Sequence, residues 1–196
     1  MKRGMAALLL LLTLFTLGAC SRRATAKPMR LKAAELTKQE QGIFDLMKED
    51  RSAALYDFSL DAPATAVDVR AYELTADGKW SGGGGAVALN ADKGRLYVSF
   101  RRISEGLSMA VQSDGGTVST CSKAPESARD AQEVATVLEA AECDIAWEKE
   151  IPLALQVVAP AGQGVSLSVE YYDRPEELMN QGYLSLIHIF APCDGR

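Results

Sequence analysis

The sequence predicts a mainly β protein, an antiparallel β-sandwich of the immunoglobulin-like or jelly-roll-like kind, with a short N-terminal helix and one helical insertion. Two observations carry that expectation. Apolar residues alternate with polar ones in seven short segments, the period of a half-buried strand. Turn chemistry separates them: Asp77-Gly78, Lys93-Gly94, Asp114-Gly115-Gly116 and Ala161-Gly162-Gln163-Gly164. Many short strands at such spacing point to two packed sheets. The 196 residues, 47% apolar and 24% charged, suit one ordinary domain with appendages.

The elements follow in order. Lys2 and Arg3 precede the apolar run Ala6–Leu17, then Gly18 and Ala19 lead into Cys20. A positive start, a run too short to remain as a spanning helix, and small residues before a cut are the grammar of an export signal. Residues 20–33 form a basic stretch, with Arg22, Arg23, Lys27, Arg30 and Lys32 and no acid, expected to be a flexible tether. Residues 34–183 are expected to form the single domain. It is acidic, with 13 basic and 25 acidic residues between Ala33 and Tyr183. That balance argues against a nucleic-acid surface, which needs a basic face. The tether, in contrast, would be drawn to anionic headgroups.

Thr37-Lys38-Gln39-Glu40 has capping-box spacing, and Ile43, Phe44 and Met47 recur on one face, so a helix is expected from about Lys38 to Asp50. The strands are expected at Ala54–Leu60, Ala66–Leu74, Gly85–Asn90, Gly94–Phe100, Leu107–Ser113, Pro152–Ala159 and Val165–Tyr172. Between them, PESARDAQEVATVLEAAE starts with Pro125 and spaces Ala131, Val134, Leu138 and Ala141 as a helical stripe. Cys121 and Cys143 flank this segment. In an exported chain such a pair reads as a disulfide, worth about 3 kcal/mol for a loop of this length. Zinc-like and C-x-x-C spacings are both lacking.

No catalytic, cofactor or metal constellation is identifiable. Ser81-Gly82-Gly83-Gly84-Gly85 lacks the lysine and following helix of a phosphate loop and reads as a turn or bulge between strands. Gly106-Leu107-Ser108-Met109-Ala110 outlines a nucleophile elbow, but Ser108 falls inside an alternating strand. Asp57, Asp61, Asp68, Glu73, Glu170 and Asp173 are acidic candidates that spacing cannot tell apart. Tyr56, Phe58, Tyr72, Trp80, Tyr97, Phe100, Trp147, Tyr171 and Tyr172 are available for a core or for a sugar-stacking platform.

Leu17-Gly18-Ala19-Cys20 resembles the lipobox of bacterial lipoproteins. The resemblance implies a diacylglyceryl group on the Cys20 sulfur, cleavage after Ala19, and a lipid anchor on the extracytoplasmic face of the cell membrane. Two acyl chains make a stable anchor. The body, with YDFSLD, SGGGGA, AVQS and KEIPLALQVV, resembles small exported proteins. Together these suggest a membrane-anchored binding or accessory module with a protein or carbohydrate ligand. The alternatives are a carboxylate-dependent, glycosidase-like hydrolase and a structural or regulatory subunit of an envelope complex. Leu184-Ser185-Leu186-Ile187-His188-Ile189 resembles something else: a translated transposase mosaic end, CTG TCT CTT ATA CAC ATC T, as used in sequencing libraries. Residues 184–196, with the single histidine, His188, are therefore expected to be an adapter-derived tail. The run LSLIHIF also has the composition of a strand.

Overall fold

A computed structural model describes residues 27–47, 52–100, 107–122, 134–138, 142–159 and 165–193. Cys20 and the export signal lie outside them. The fold is mainly β and antiparallel, with a sandwich-like arrangement. Its elements are β1 (Arg30–Ala33), α1 (Lys38–Met47), β2 (Ser52–Leu74), β3 (Trp80–Phe100), β4 (Leu107–Ser113), β5 (Gly116–Ser122), β6 (Val134–Leu138), β7 (Cys143–Asp144) and β8 (Ile151–Val158). A 3-10 turn (Val169–Tyr172), α2 (Pro175–Asn180) and β9 (Leu184–Cys193) complete it. The strand order is β5-β4-β3-β2-β9-β8-β6, with β1 pairing β2 and β7.

The long hairpin β2–β3 organises everything else. Its tip is the expected Asp77-Gly78 turn, closed by Thr75 N–H donating to the Lys79 carbonyl at 2.8 Å. The register slips between Ser59 and Ala64, where Asp61, Ala62 and Pro63 are exposed. Proline has no N–H to give a ladder, so the pairing lapses there. The slip changes the parity of the inward residues. Tyr56, Phe58 and Leu60 before it and Val67, Val69 and Ala71 after it share one core. One half of the hairpin therefore belongs to a first layer with β1, β4, β5 and β7, the other to a second layer with β9, β8 and β6. The Tyr56 hydroxyl crosses between them, donating to the Leu153 carbonyl at 3.0 Å.

Gly94 holds the first layer in register. A Cβ there would lie 2.2 Å from the Gln112 carbonyl oxygen and 2.7 Å from the Phe58 ring, so only glycine fits. A second, smaller core lies on the outer face of the second layer. Leu74, Leu155 and Val157 are covered there by Val169, Leu178 and Tyr183. α2 closes in a Schellman motif: Tyr183 N–H donates to the Leu178 carbonyl and Gly182 N–H to Met179, with Gly182 at φ 71°.

Four expectations are corrected. Arg30–Ala33 is strand rather than tether, because Leu31 is buried between β2 and β7. Val134–Leu138, expected as part of a helix, is a strand paired with β8; three of its five residues are β-branched. Val165–Tyr172 is no strand. Ser168 accepts the Glu170 N–H and starts the 3-10 turn instead. Lys93-Gly94 is strand rather than turn, because Gly94 pairs with Phe58 inside β3. Cys121 and Cys143, the pair expected as a bridge, both lie on strands. The segment between them enters the sheet at β6, which leaves Cys121 on β5, hydrogen-bonded to Ser108 at 3.4 Å, and Cys143 on β7 beside Leu31. Ser108 itself lies inside β4, so the elbow geometry is not formed.

Candidate functional site

Alternation along β2 places Asp68, Arg70 and Tyr72 on the outer face of the second layer, while Val67, Val69 and Ala71 enter the core. Opposite them, Gly85 pairs with Arg70 and Gly82 with Tyr72. The register skips one residue here, Ala71 facing Gly84 and Tyr72 facing Gly82, so the glycine run is a bulge within β3, as its composition suggested. Missing side chains on β3 leave a recess of about 320 Å³ lined by Asp68, Arg70, Ala71, Gly82, Gly85 and Val87.

A continuous polar chain runs along this face. Arg70 Nη2 donates to Asp68 Oδ2, and the guanidinium also bonds the Tyr72 hydroxyl. Tyr72 donates in turn to Glu150 Oε1 at 2.9 Å, and Tyr172 to Glu150 Oε2. Trp80 stacks on Tyr172 with centroids 5.9 Å apart, its Nε1–H donating to the Tyr172 carbonyl at 3.0 Å. The hydrogen bond with Tyr72, then that with Asp68, holds the Arg70 guanidinium firmly protonated. Burial, more than Glu150, pushes the Tyr172 phenol up, and burial does the same for Tyr72. Both phenols therefore keep their protons and act as fixed donors at neutral pH.

Asp68 is the exception in this satisfied network. It is only 4% exposed, yet its Oδ1 has no hydrogen-bond partner among the described residues. An unmet buried acceptor costs about 1–3 kcal/mol, and more when charged. An oxygen of this kind beside an open recess is ready to receive a donor.

The other acidic candidates are not brought to this face as a facing pair. Asp57 accepts two bonds from Arg95, at 2.7 and 3.3 Å, on the outer face of the first layer. Asp61 is exposed, Glu170 pairs with Arg174, and Asp173 caps the 3-10 turn. Of the aromatic candidates, Tyr56 and Phe58 are core, and Tyr72, Trp80, Tyr171 and Tyr172 pack around the smaller core beside the recess. Arg70 and Glu150 were missed. The run Asp68-Val69-Arg70-Ala71-Tyr72 carried the signal for Arg70, since a period of two puts all three polar side chains on one face.

Among the described residues, no group of three or more histidine, cysteine or acidic side chains could hold a metal ion, and no helix is long and apolar enough to cross a membrane. No family model, curated protein or solved structure matches the chain.

Proposed function

We propose that this chain is a lipid-anchored extracytoplasmic binding module whose recess takes a neutral polyhydroxyl ligand, a saccharide unit. The observation that carries the reading is Asp68 Oδ1, a buried, unpartnered acceptor on a side chain that lines the recess beside Arg70. Neighbouring sugar hydroxyls match this arrangement. One donates to Asp68 Oδ1 while the next accepts from Arg70, which is half exposed. Val87, 39% exposed, offers an apolar wall for a sugar's C–H face, and the glycines keep the floor clear. Fixed donors and acceptors with a single apolar wall suit binding.

The test is saturation-transfer NMR of the full chain against a panel of mono- and disaccharides. Transfer to one sugar class in the native chain, lost in Asp68→Ala, is expected. A panel with no transfer, or transfer indifferent to that substitution, overturns the saccharide reading. The anchor is tested separately by expressing Cys20→Ala in a lipidating host, where unchanged membrane retention would sink it.

We propose also that the native sequence departs from this one after Tyr183. The support is the six-residue match of Leu184–Ile189 to the mosaic end, in frame, and the completed Schellman cap that ends at Tyr183. In this reading β9 marks the place of a native strand without preserving its residues. Sequencing the locus through its 3′ end decides it: genomic DNA continuing as LSLIHIFAPCDGR returns His188 and Cys193 to the native chain.

A further inference from the structure

We infer that α1 lies on the lipid surface to which Cys20 is anchored, its apolar side chains entering the headgroup region. The inference rests on the lipid anchor proposed above. α1 is held at its start by a reciprocal cap: Thr37 N–H donates to Glu40 Oε2 at 2.8 Å, and Glu40 N–H to Thr37 Oγ1 at 3.2 Å. One side turns to the protein, with Glu40 3.6 Å from Arg95 Nη1 and Phe44 half-buried. The other side presents Ile43, Leu46 and Met47 at 53, 78 and 55% exposure. Positions i, i+3 and i+4 form one stripe, and none of α1 is buried. An apolar stripe turned to solvent in this way calls for an occupant.

Chain length and charge select lipid over a protein partner. Eight residues separate Cys20 from Met29, and the nine steps between those two reach about 30 Å when extended. α1 follows β1 by four residues, so it cannot move far from the point where the tether leaves the domain. That tether carries Arg22, Arg23 and Lys27, which favour an anionic leaflet. α1 itself has mixed charge, Lys38 with Glu40 and Asp45, so its contribution is apolar contact. Three side chains give weak binding alone. Once the acyl chains hold the tether, contact becomes intramolecular, at an effective concentration on the order of millimolar. α1 packs beside Arg95, on the outer face of the first layer, whereas the Asp68 recess opens on the outer face of the second. Contact through α1 therefore turns the recess away from the bilayer.

The experiment places a photoactivatable diazirine side chain at Leu46 of the acylated full chain in vesicles of phosphatidylethanolamine and phosphatidylglycerol. The control position is Leu89, 64% exposed on the second layer. Lipid adducts from position 46 and few or none from position 89 are expected. Equal labelling, or none at 46 while mass spectrometry shows an acylated Cys20, overturns the inference and leaves the anchor standing. An unacylated Cys20 removes both. Saccharide binding is unaffected by either outcome.

Discussion

Two arginine–aspartate pairs stand on the same hairpin and behave differently. Asp57 and Arg95 face each other across β2 and β3, joined by two hydrogen bonds, with Glu40 of α1 adding a third charge. Both partners are about a third exposed, so water shares the load. Asp68 and Arg70 lie on one strand, and Asp68 is buried with one oxygen unused. The first pair ties a helix to a sheet and is complete. The second leaves an acceptor unpartnered at a recess, and that difference separates a fastening from the site proposed above for a ligand.

The comparison can be broken in graded ways. Gly94→Ala should have the largest effect, about 3 kcal/mol by urea denaturation, because its Cβ has no room against Gln112 and Phe58 and the shift would misalign Arg95 with Asp57. Arg70→Ala comes next, at about 2 kcal/mol, since it strips the counter-charge from a buried carboxylate while half of the arginine already meets solvent. The same change should weaken saccharide binding at least tenfold, roughly 1.4 kcal/mol or more. Arg95→Ala should cost only about 1 kcal/mol and leave saccharide binding intact. Equal losses from the two arginine substitutions would erase the distinction between the pairs.

Titration gives smaller effects with opposite signs at the two places. Hydrogen bonding by Thr37, first through its backbone N–H, holds the Glu40 carboxyl below its ordinary value of 4.5. A depressed carboxylate favours the folded state above that value, and the support fades as pH falls below it through the folded value. Helicity at α1, followed by NMR, should therefore loosen in acid. Tyr172 is raised above its ordinary value of 10, so its support is full below pH 10 and is lost as pH rises beyond it. Ultraviolet absorbance should show this phenol ionising after the exposed tyrosines, together with a fall in stability.

Much of the sheet was legible because period two survives wherever one face is buried. β4 begins and ends where its alternation does, and the Asp77-Gly78 turn sits where its chemistry placed it. Failures came where another signal spoke louder. Five basic residues in the tether hid Leu31, whose burial fixes β1. GTVSTCS, small and polar, gave little sign of β5, which stands at the sheet's edge. In VATVL a helical stripe outweighed the β-branched side chains that pair with β8. At the candidate site, Asp68 and Tyr72 were among the residues singled out. Glu150 was not, because it meets Tyr72 across 78 positions and no local pattern records such a meeting.

The place of β9 has a consequence for assembly. β9 runs between β2 and β8, Ala66 opposite Cys193 and Ile151 opposite Phe190, so the second layer is welded by its latest piece in the chain. The β2–β3 hairpin and the β6–β8 pair can form early from nearer partners, but their union waits on a distant one, the kind of contact that slows folding. Until it arrives, β2 and β8 present two unclaimed ladders to one another and to any passing strand. β9 is the bolt of the second layer, and its delay sets the time during which the chain is open to the wrong partner.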